Sequence, residues 1–216
     1  MSAIPASLDH LILGASDLAL GIRWVEQRTG IRAALGGVHP GRGTHNALLS
    51  LGPRCYLEIL APDPAQQTLA WFRDLPNLTE PRLVGWMSHP GDLTSLAERL
   101  RQSGISCDGP RESSRQQRPD GRTLRWKLLR LAGGSSGLLP VLIEWSADSP
   151  HPAEDAPTGC SLLQFEISSP DPEQVQRTLR AVGITLPIGV GDRPQFRARI
   201  AGPKGILDLI STHNPG

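Results

Sequence analysis

The amino-acid sequence predicts an α+β fold of repeated βαβββ modules, whose curved, mostly antiparallel sheets form a cleft with the helices outside. Three observations predict it. Glycine (23) and proline (20) make up about a fifth of the 216 residues, against roughly 12% in average usage, which points to many turns between short strands rather than to a helical bundle. Three segments repeat one local syntax, and a repeat of that kind decides the fold. Each repeat is followed by strand-like stretches ending in an apolar strand that carries a single acid.

The repeated syntax is a short apolar strand, an aspartate, an amphipathic stretch, then Gly-Ile. It runs LDHLILGASDLALGIRWVEQRTGI with Asp17 and Gly30-Ile31, LVGWMSHPGDLTSLAERLRQSGI with Asp92 and Gly104-Ile105, and LLQFEISSPDPEQVQRTLRAVGI with Asp171 and Gly183-Ile184. An aspartate at a helix N-cap accepts from free backbone N–H groups, and a glycine past the helix end takes the left-handed conformation there. Pro172 stands where a first-turn proline is tolerated. Helices are therefore predicted at about 17–29, 92–103 and 172–182.

After each helix, turn-punctuated apolar runs read as strands, such as HNALLSLGPRCYLEIL, broken at Gly52-Pro53. The closing strands, CYLEILAPDP, PVLIEWSADSP and GILDLISTHNP, carry Glu58, Glu144 and Asp208. The boundaries follow as module one at 7–64, a connecting helix around TLAWFRDL, module two at 81–148, a Pro-rich acidic linker SPHPAEDAPTG, and module three at 160–212. One unit of this size buries too little surface to stand alone, so modules one and two are expected to pair around a cleft. Module three is then expected to cover an open sheet edge or to meet a second subunit, making a homodimer a further expectation.

Lys and Arg total 22 against 21 Asp and Glu, so no net field draws the chain to nucleic acid or to an anionic membrane. No apolar run approaches the roughly 20 residues of a membrane span, and the opening MSAIPASLDH lacks a basic stretch followed by an apolar one, so a cytoplasmic protein is expected. Cys55, Cys107 and Cys160 form neither an even disulfide framework nor a metal-binding pair.

LDHLILGASDL and GGVHPGRGTHNALLSLGPRCYLEILAPDP, within residues 8–64, carry a resemblance. They resemble the vicinal-oxygen-chelate superfamily, which includes glyoxalase I, extradiol dioxygenases and the bleomycin-resistance proteins, and within it the glyoxalase-like subgroup. The resemblance implies a divalent metal ion (Mn, Fe, Ni or Zn) held by inward residues of two paired modules. Carried over, the ligands are His10, Glu58 and Glu144, with Glu58 and Glu144 also placed to move protons. The fourth ligand place departs from the pattern, because the positions equivalent to His10 are Gly85 and Gln164.

The residues alone leave several readings open. His10 could be a hydrogen-bonded strand histidine, and Glu58 a solvated one-sided acid. Trp145 rather than Glu144 could point inward, which strand parity decides. His39, His45 and Asn46 flank the glycine-rich PGRGT and are candidate substrate contacts, with His45 replacing the missing ligand if Asn46 faces outward; His89 is a further candidate. Arg118, Arg122, Arg125 and Arg130 enrich module two, and Arg125 and Trp126 are the substrate contacts chosen there, with Trp86, Trp126 and Trp145 as one aromatic wall. Three function classes remain for a small-molecule ligand: a metal-dependent lyase, isomerase or dioxygenase; a metal-free binding module; and a fold that has lost its site.

Overall fold

In a computed structural model, which describes residues 4–117, 121–132 and 138–211, each capping aspartate does what its position predicts. Asp17 accepts from the Leu20 N–H ahead of α1 (Leu18–Thr29), Asp92 from Thr94 and Ser95 ahead of α2 (Leu93–Gln102), and Asp171 from Gln174 at the start of α4 (Pro172–Ala181). Gly30, Gly104 and Gly183 follow with φ of 83°, 74° and 78°, a region open to glycine without a Cβ clash.

The strands of the first two modules close into one barrel. Module one supplies β1 (Leu8–Gly14), β2 (Ala34–His39), β3 (Thr44–Gly52) and β4 (Cys55–Pro62); module two supplies β5 (Arg82–Ser88), β6 (Cys107–Gln117), β7 (Thr123–Leu131) and β8 (Val141–Trp145). The order around the barrel is β1-β4-β3-β2-β6-β7-β8-β5. In each module the first strand pairs parallel with the fourth, the other pairings being antiparallel. Two seams join the modules: β1 against β5 over six residue pairs, and β2 against β6 over only Gly37–Gln117 and Val38–Gln116. The cleft expected between curved sheets is thus a closed lumen.

Alternation along each strand divides the core. Leu11, Leu13, Leu57, Ile59 and Ala61 face out of the barrel into the main apolar core beneath α1 and α2. Their neighbours Ile12 and Leu60 face in and join a second apolar group with Trp126, Leu128 and Ile143.

The third segment keeps the predicted element sequence but pairs its strands differently. β9 (Ser161–Ser169), α4, β10 (Ile188–Val190), β11 (Gln195–Gly202) and β12 (Gly205–Ile210) form a sheet of order β10-β9-β11-β12. Its first strand therefore pairs with the second and third rather than the fourth, so the three units are not superimposable. One face, including Phe165, Phe196 and Leu207, is buried in the main core, with Phe165 against Trp86 and β11 and β12 against α1. The segment thus covers the outer face of the barrel rather than an open edge.

Two further expectations are corrected. No helix forms around TLAWFRDL: Phe72 takes φ of 52°, which helical backbone cannot hold, and only a short 3-10 turn follows at Leu75–Asn77. The Pro-rich linker after β8 is not a bare spacer, because His151 caps a four-residue helix α3 (Pro152–Asp155) and is itself buried. The Pro119-Asp120 turn lies outside the described residues.

Candidate functional site

The lumen is a small cavity, with about 50 Å³ open to the centres of water-sized spheres within about 570 Å³ of empty space that includes its open mouth. Its two sides differ in character. One is polar, with His10, Glu58, Asn46, His39 and Arg115; the other is apolar and aromatic, with Trp126, Trp145, Phe72, Leu128 and Met87.

Local backbone irregularity sets this arrangement. The register of β1 against β5 shifts between Leu8 and His10, a bulge that lets the adjacent Asp9 and His10 both sit buried and bonded to each other, Asp9 Oδ1 lying 2.6 Å from His10 Nδ1. A second shift falls between Leu35 and Gly37. A Cβ on Gly36 would stand 2.3 Å from Asn46 Oδ1 and 2.9 Å from Arg115 Nη1, so the paired glycines are what allow the two side chains to approach β2.

Hydrogen bonding fixes the chemistry of each group in turn. The Gly37 backbone N–H donates to Asn46 Oδ1 at 2.9 Å, so the Asn46 amide nitrogen must face the other way. It donates to Glu58 Oε1 at 2.6 Å and lies 3.4 Å from His39 Nε2. His39 Nε2 is therefore the unprotonated, accepting nitrogen, and its Nδ1 carries the hydrogen toward Thr44 Oγ1 at 2.9 Å. On the other side of the carboxylate, His10 Nε2 stands 3.6 Å from Glu58 Oε2. Asp9, fully buried, also meets Trp145 Nε1 at 3.0 Å and His151 Nε2 at 3.2 Å with its second oxygen. Tyr56 stacks on the His10 ring with centroids 4.3 Å apart.

The two lumen imidazoles are driven in opposite directions. Burial presses His10 toward its neutral form, but its bonds to Asp9 and Glu58 and their charges outweigh this and raise its pKa to about 9. Burial also acts on His39, and there the opposing charge of Glu58 is too weak, so its pKa falls to about 4. For Glu58 burial is overcome by His10, His39 and Asn46, which hold it at about 2. Asp9 is likewise held well below the usual carboxylate range, burial being outweighed by the bonds from His10 and His151. Near neutrality Asp9 and Glu58 are thus anionic, His10 and Arg115 cationic, and His39 neutral. Arg115 is 3% exposed, and its Nη1 has no hydrogen-bond partner among the described residues.

Of the residues predicted from sequence, His10, Glu58, His39, Asn46 and Trp126 line the lumen together. Glu144 does not join them. It alternates with the lumen-facing Ile143 and Trp145, so its carboxylate lies outside, accepting from the Leu93 N–H at 2.8 Å and pairing with Lys127 Nζ at 3.4 Å. Arg125 is likewise outside, 3.6 Å from Asp148, because Trp126 takes the inward place. His45 also faces away, since the parity of β3 turns Asn46 and Thr44 inward. Trp86 lies in the outer core, donating to Leu138 O, so the aromatic wall is Trp126 and Trp145 without it. Asp208 pairs at the surface with Arg199. His89 does not line the lumen, and Arg118 lies outside the described residues. The residues that sequence reasoning missed are Arg115, Asp9, Tyr56, His151 and Arg42.

The divalent ion implied by resemblance does not fit this donor set. With Glu144 outside, no group of three His, Cys, Asp or Glu among the described residues is placed to hold a metal ion. Glu58 Oε1 is already engaged by Asn46, and the Phe72 ring lies 3.6 Å from where a Cβ would sit on Gly85, at the missing fourth place.

A family model described as a glyoxalase-like domain matches residues 8–183. No curated protein matches the chain. Among solved structures, a hypothetical protein from Staphylococcus aureus is similar over 94% of this chain and 84% of its own, at 16% identity and a TM-score of 0.63, which speaks for the fold alone. Methylmalonyl-CoA epimerase from Mycobacterium tuberculosis aligns over 72% of this chain and 95% of its own, at 20% identity and a TM-score of 0.46. A methylmalonyl-CoA epimerase in complex with methylmalonyl-CoA and NH4+ aligns over 68% and 100%, at 22% identity and a TM-score of 0.48. No helix among the described residues is long and apolar enough to cross a membrane.

Proposed function

Because the chain belongs to the glyoxalase-like domain family, we propose that its barrel lumen binds a small oxygen-rich molecule with an apolar body and moves a proton on it, using side chains alone. The observation that carries this reading is the pair of lumen histidines on either side of Glu58, one protonated and one neutral at the same pH. Titratable groups whose surroundings push their pKa values apart are the usual mark of an acid and a base in one site.

The roles follow from the bonding. His39 Nε2, with its lone pair fixed by the Asn46 amide, is the proton acceptor. His10 Nε2 and the unpartnered Arg115 Nη1 supply positive charge for an oxygen on which negative charge develops, as in an enolate. Glu58 balances the two cations and Asp9 orients His10 through Nδ1. Trp126, Trp145 and Leu128 receive the apolar body. In class terms the reaction is an isomerisation or elimination beginning at a carbon next to a carbonyl.

The test is exchange of the α-hydrogen for deuterium in a panel of aryl-substituted carboxylic and 2-oxo acids, followed by NMR with a chelator present. Exchange above the buffer rate is expected, lowered about 100-fold or more in His39→Gln, in line with general base contributions of roughly 10²–10⁴. Exchange that persists in both His39→Gln and Arg115→Gln would overturn the assignment. Binding of the same acids, with quenching of lumen tryptophan fluorescence but no exchange in the wild type, would favour a pure binding module.

A further inference from the structure

At the mouth of the lumen two arginines stack on one indole. Arg42 Cζ stands 3.9 Å from the Trp71 ring centre, and Arg130 Cζ 3.4 Å. Arg42 belongs to the turn between β2 and β3 and lines the lumen. Arg130 continues the inward row of β7, two residues beyond Leu128 and four beyond Trp126, both of which line the lumen. Arg42 and Trp71 thus line the outer end of the cavity, and Arg130 packs on the same indole beside them.

Among the described residues no ion pair holds these cations, and carboxylate charge reaches them only at a distance, Glu58 favouring the charge on Arg42 and Asp108 that on Arg130. Asp108, opposite Arg130 in the β6–β7 ladder, is taken by Arg111 through Nε at 3.1 Å and Nη2 at 2.6 Å. Arg42 donates one N–H to Ser113 Oγ, and the buried Nε of Arg130 has no hydrogen-bond partner among the described residues. Burial disfavours the charge on both guanidinium groups, and on Arg42 the charge of Arg130 adds to it. The indole offsets part of this, and stacking leaves the guanidinium edges, where N–H donors lie, open apart from the Arg42 bond to Ser113.

We propose that Arg42 and Arg130, both stacked on Trp71, form an oxyanion subsite that takes a phosphate or carboxylate group on the outer end of the ligand. A planar fork presenting two N–H groups matches such an oxyanion, and two forks fixed on one ring are pre-organised for it. The ligand class is then a molecule with two oxygen-bearing ends and an apolar middle, its inner end at Arg115 and His10; that second half rests on the lumen reading above, whereas the subsite itself does not.

The experiment uses the full chain with 15N-labelled arginine, following the Nε–H resonances of Arg42 and Arg130 while inorganic phosphate and then pyrophosphate are added, with sodium chloride at matched ionic strength as control. Saturable shifts at millimolar anion are expected, at least tenfold weaker in Arg130→Gln and in Arg42→Gln. Two variants on different elements, a turn and a strand, guard against one failing to fold. Shifts that chloride reproduces, or that persist in both variants, would overturn the subsite. If phosphate saturates the mouth while no aryl acid enters the lumen, the subsite stands and the lumen reading falls. If the aryl acids bind while phosphate and pyrophosphate give no saturable shift, the subsite alone falls.

Discussion

The opposed histidines make stability depend on pH in a way that has two slopes. His10 carries a pKa of about 9 when folded against an ordinary 6.5. Its contribution is therefore complete below pH 6.5 and is lost as the pH rises toward 9. At about 1.4 kcal/mol per pH unit the full contribution is on the order of 3 kcal/mol. His39 falls from 6.5 to about 4, so the folded state resists a proton that the unfolded chain accepts. Stability is then lost by a similar amount as the pH falls from 6.5 toward 4. The sum is a maximum near pH 6.5 with a slope of up to about 1.4 kcal/mol per pH unit on each side. Glu58, held at about 2 against an ordinary 4.5, adds its loss only below that ordinary value. Cys55, raised to about 12 by burial and the charge of Asp9, acts mainly above pH 9. His89, which burial lowers, adds to the acid slope, so the alkaline arm is the cleaner test. Urea unfolding at half-unit steps from pH 5 to 8.5 measures both arms. His10→Gln should flatten the alkaline arm and change the acid one less, through the loss of the His10 charge that helps lower His39. A wild-type protein equally stable at pH 6.5 and 8.5, or an alkaline slope that survives His10→Gln, would refute the charge assignment.

Two further outcomes follow from the packing. In Gly37→Ala the new Cβ would stand 2.2 Å from the Gln116 carbonyl oxygen, at a seam with only two residue pairs; a loss of about 1–3 kcal/mol is expected, seen as a fall in Tm of several degrees, and an unchanged Tm would show that the seam has room. Glu144→Gln removes a charge beside the start of α2 and should cost under about 1 kcal/mol; aryl-acid binding by fluorescence should be unchanged, and its loss would return Glu144 to the site.

The fold was legible because its signals are local. An aspartate ahead of a helix and a glycine behind it act through backbone groups one turn away, and three copies of that pattern named the elements. The site was legible only in part, because which side of a strand faces inward depends on register. Alternation alone puts Asp9 and His10 on opposite faces, and the bulge that gathers them into one hydrogen-bonded pair has no marker in LDHLILG. Glu58 and Glu144 look equivalent in sequence, yet one lies in the lumen and the other against α2. Arg115 stands in RESSRQQR, which reads as a solvated strand. Its signal was in the partner strand: residues facing Leu124, Trp126 and Leu128 across the ladder are Arg115, Ser113 and Arg111. The register that would reveal this is itself a tertiary fact. Trp71 and Phe72 were hidden because a connector rich in apolar residues reads as a helix until the charges that hold it are in place.

His151 reaches Asp9 from outside the paired modules, and this limits how the chain could be recombined. A barrel exchanged with that of a relative, cut at the last residue of β8, would bring its own lumen but leave the linker behind. The outer oxygen of Asp9 would then keep Trp145 alone. Repeats of this kind invite being treated as interchangeable cassettes. Here the hand-over point lies within the eleven-residue stretch SPHPAEDAPTG, on its far side, so that what looks like a boundary between units is inherited with the unit before it.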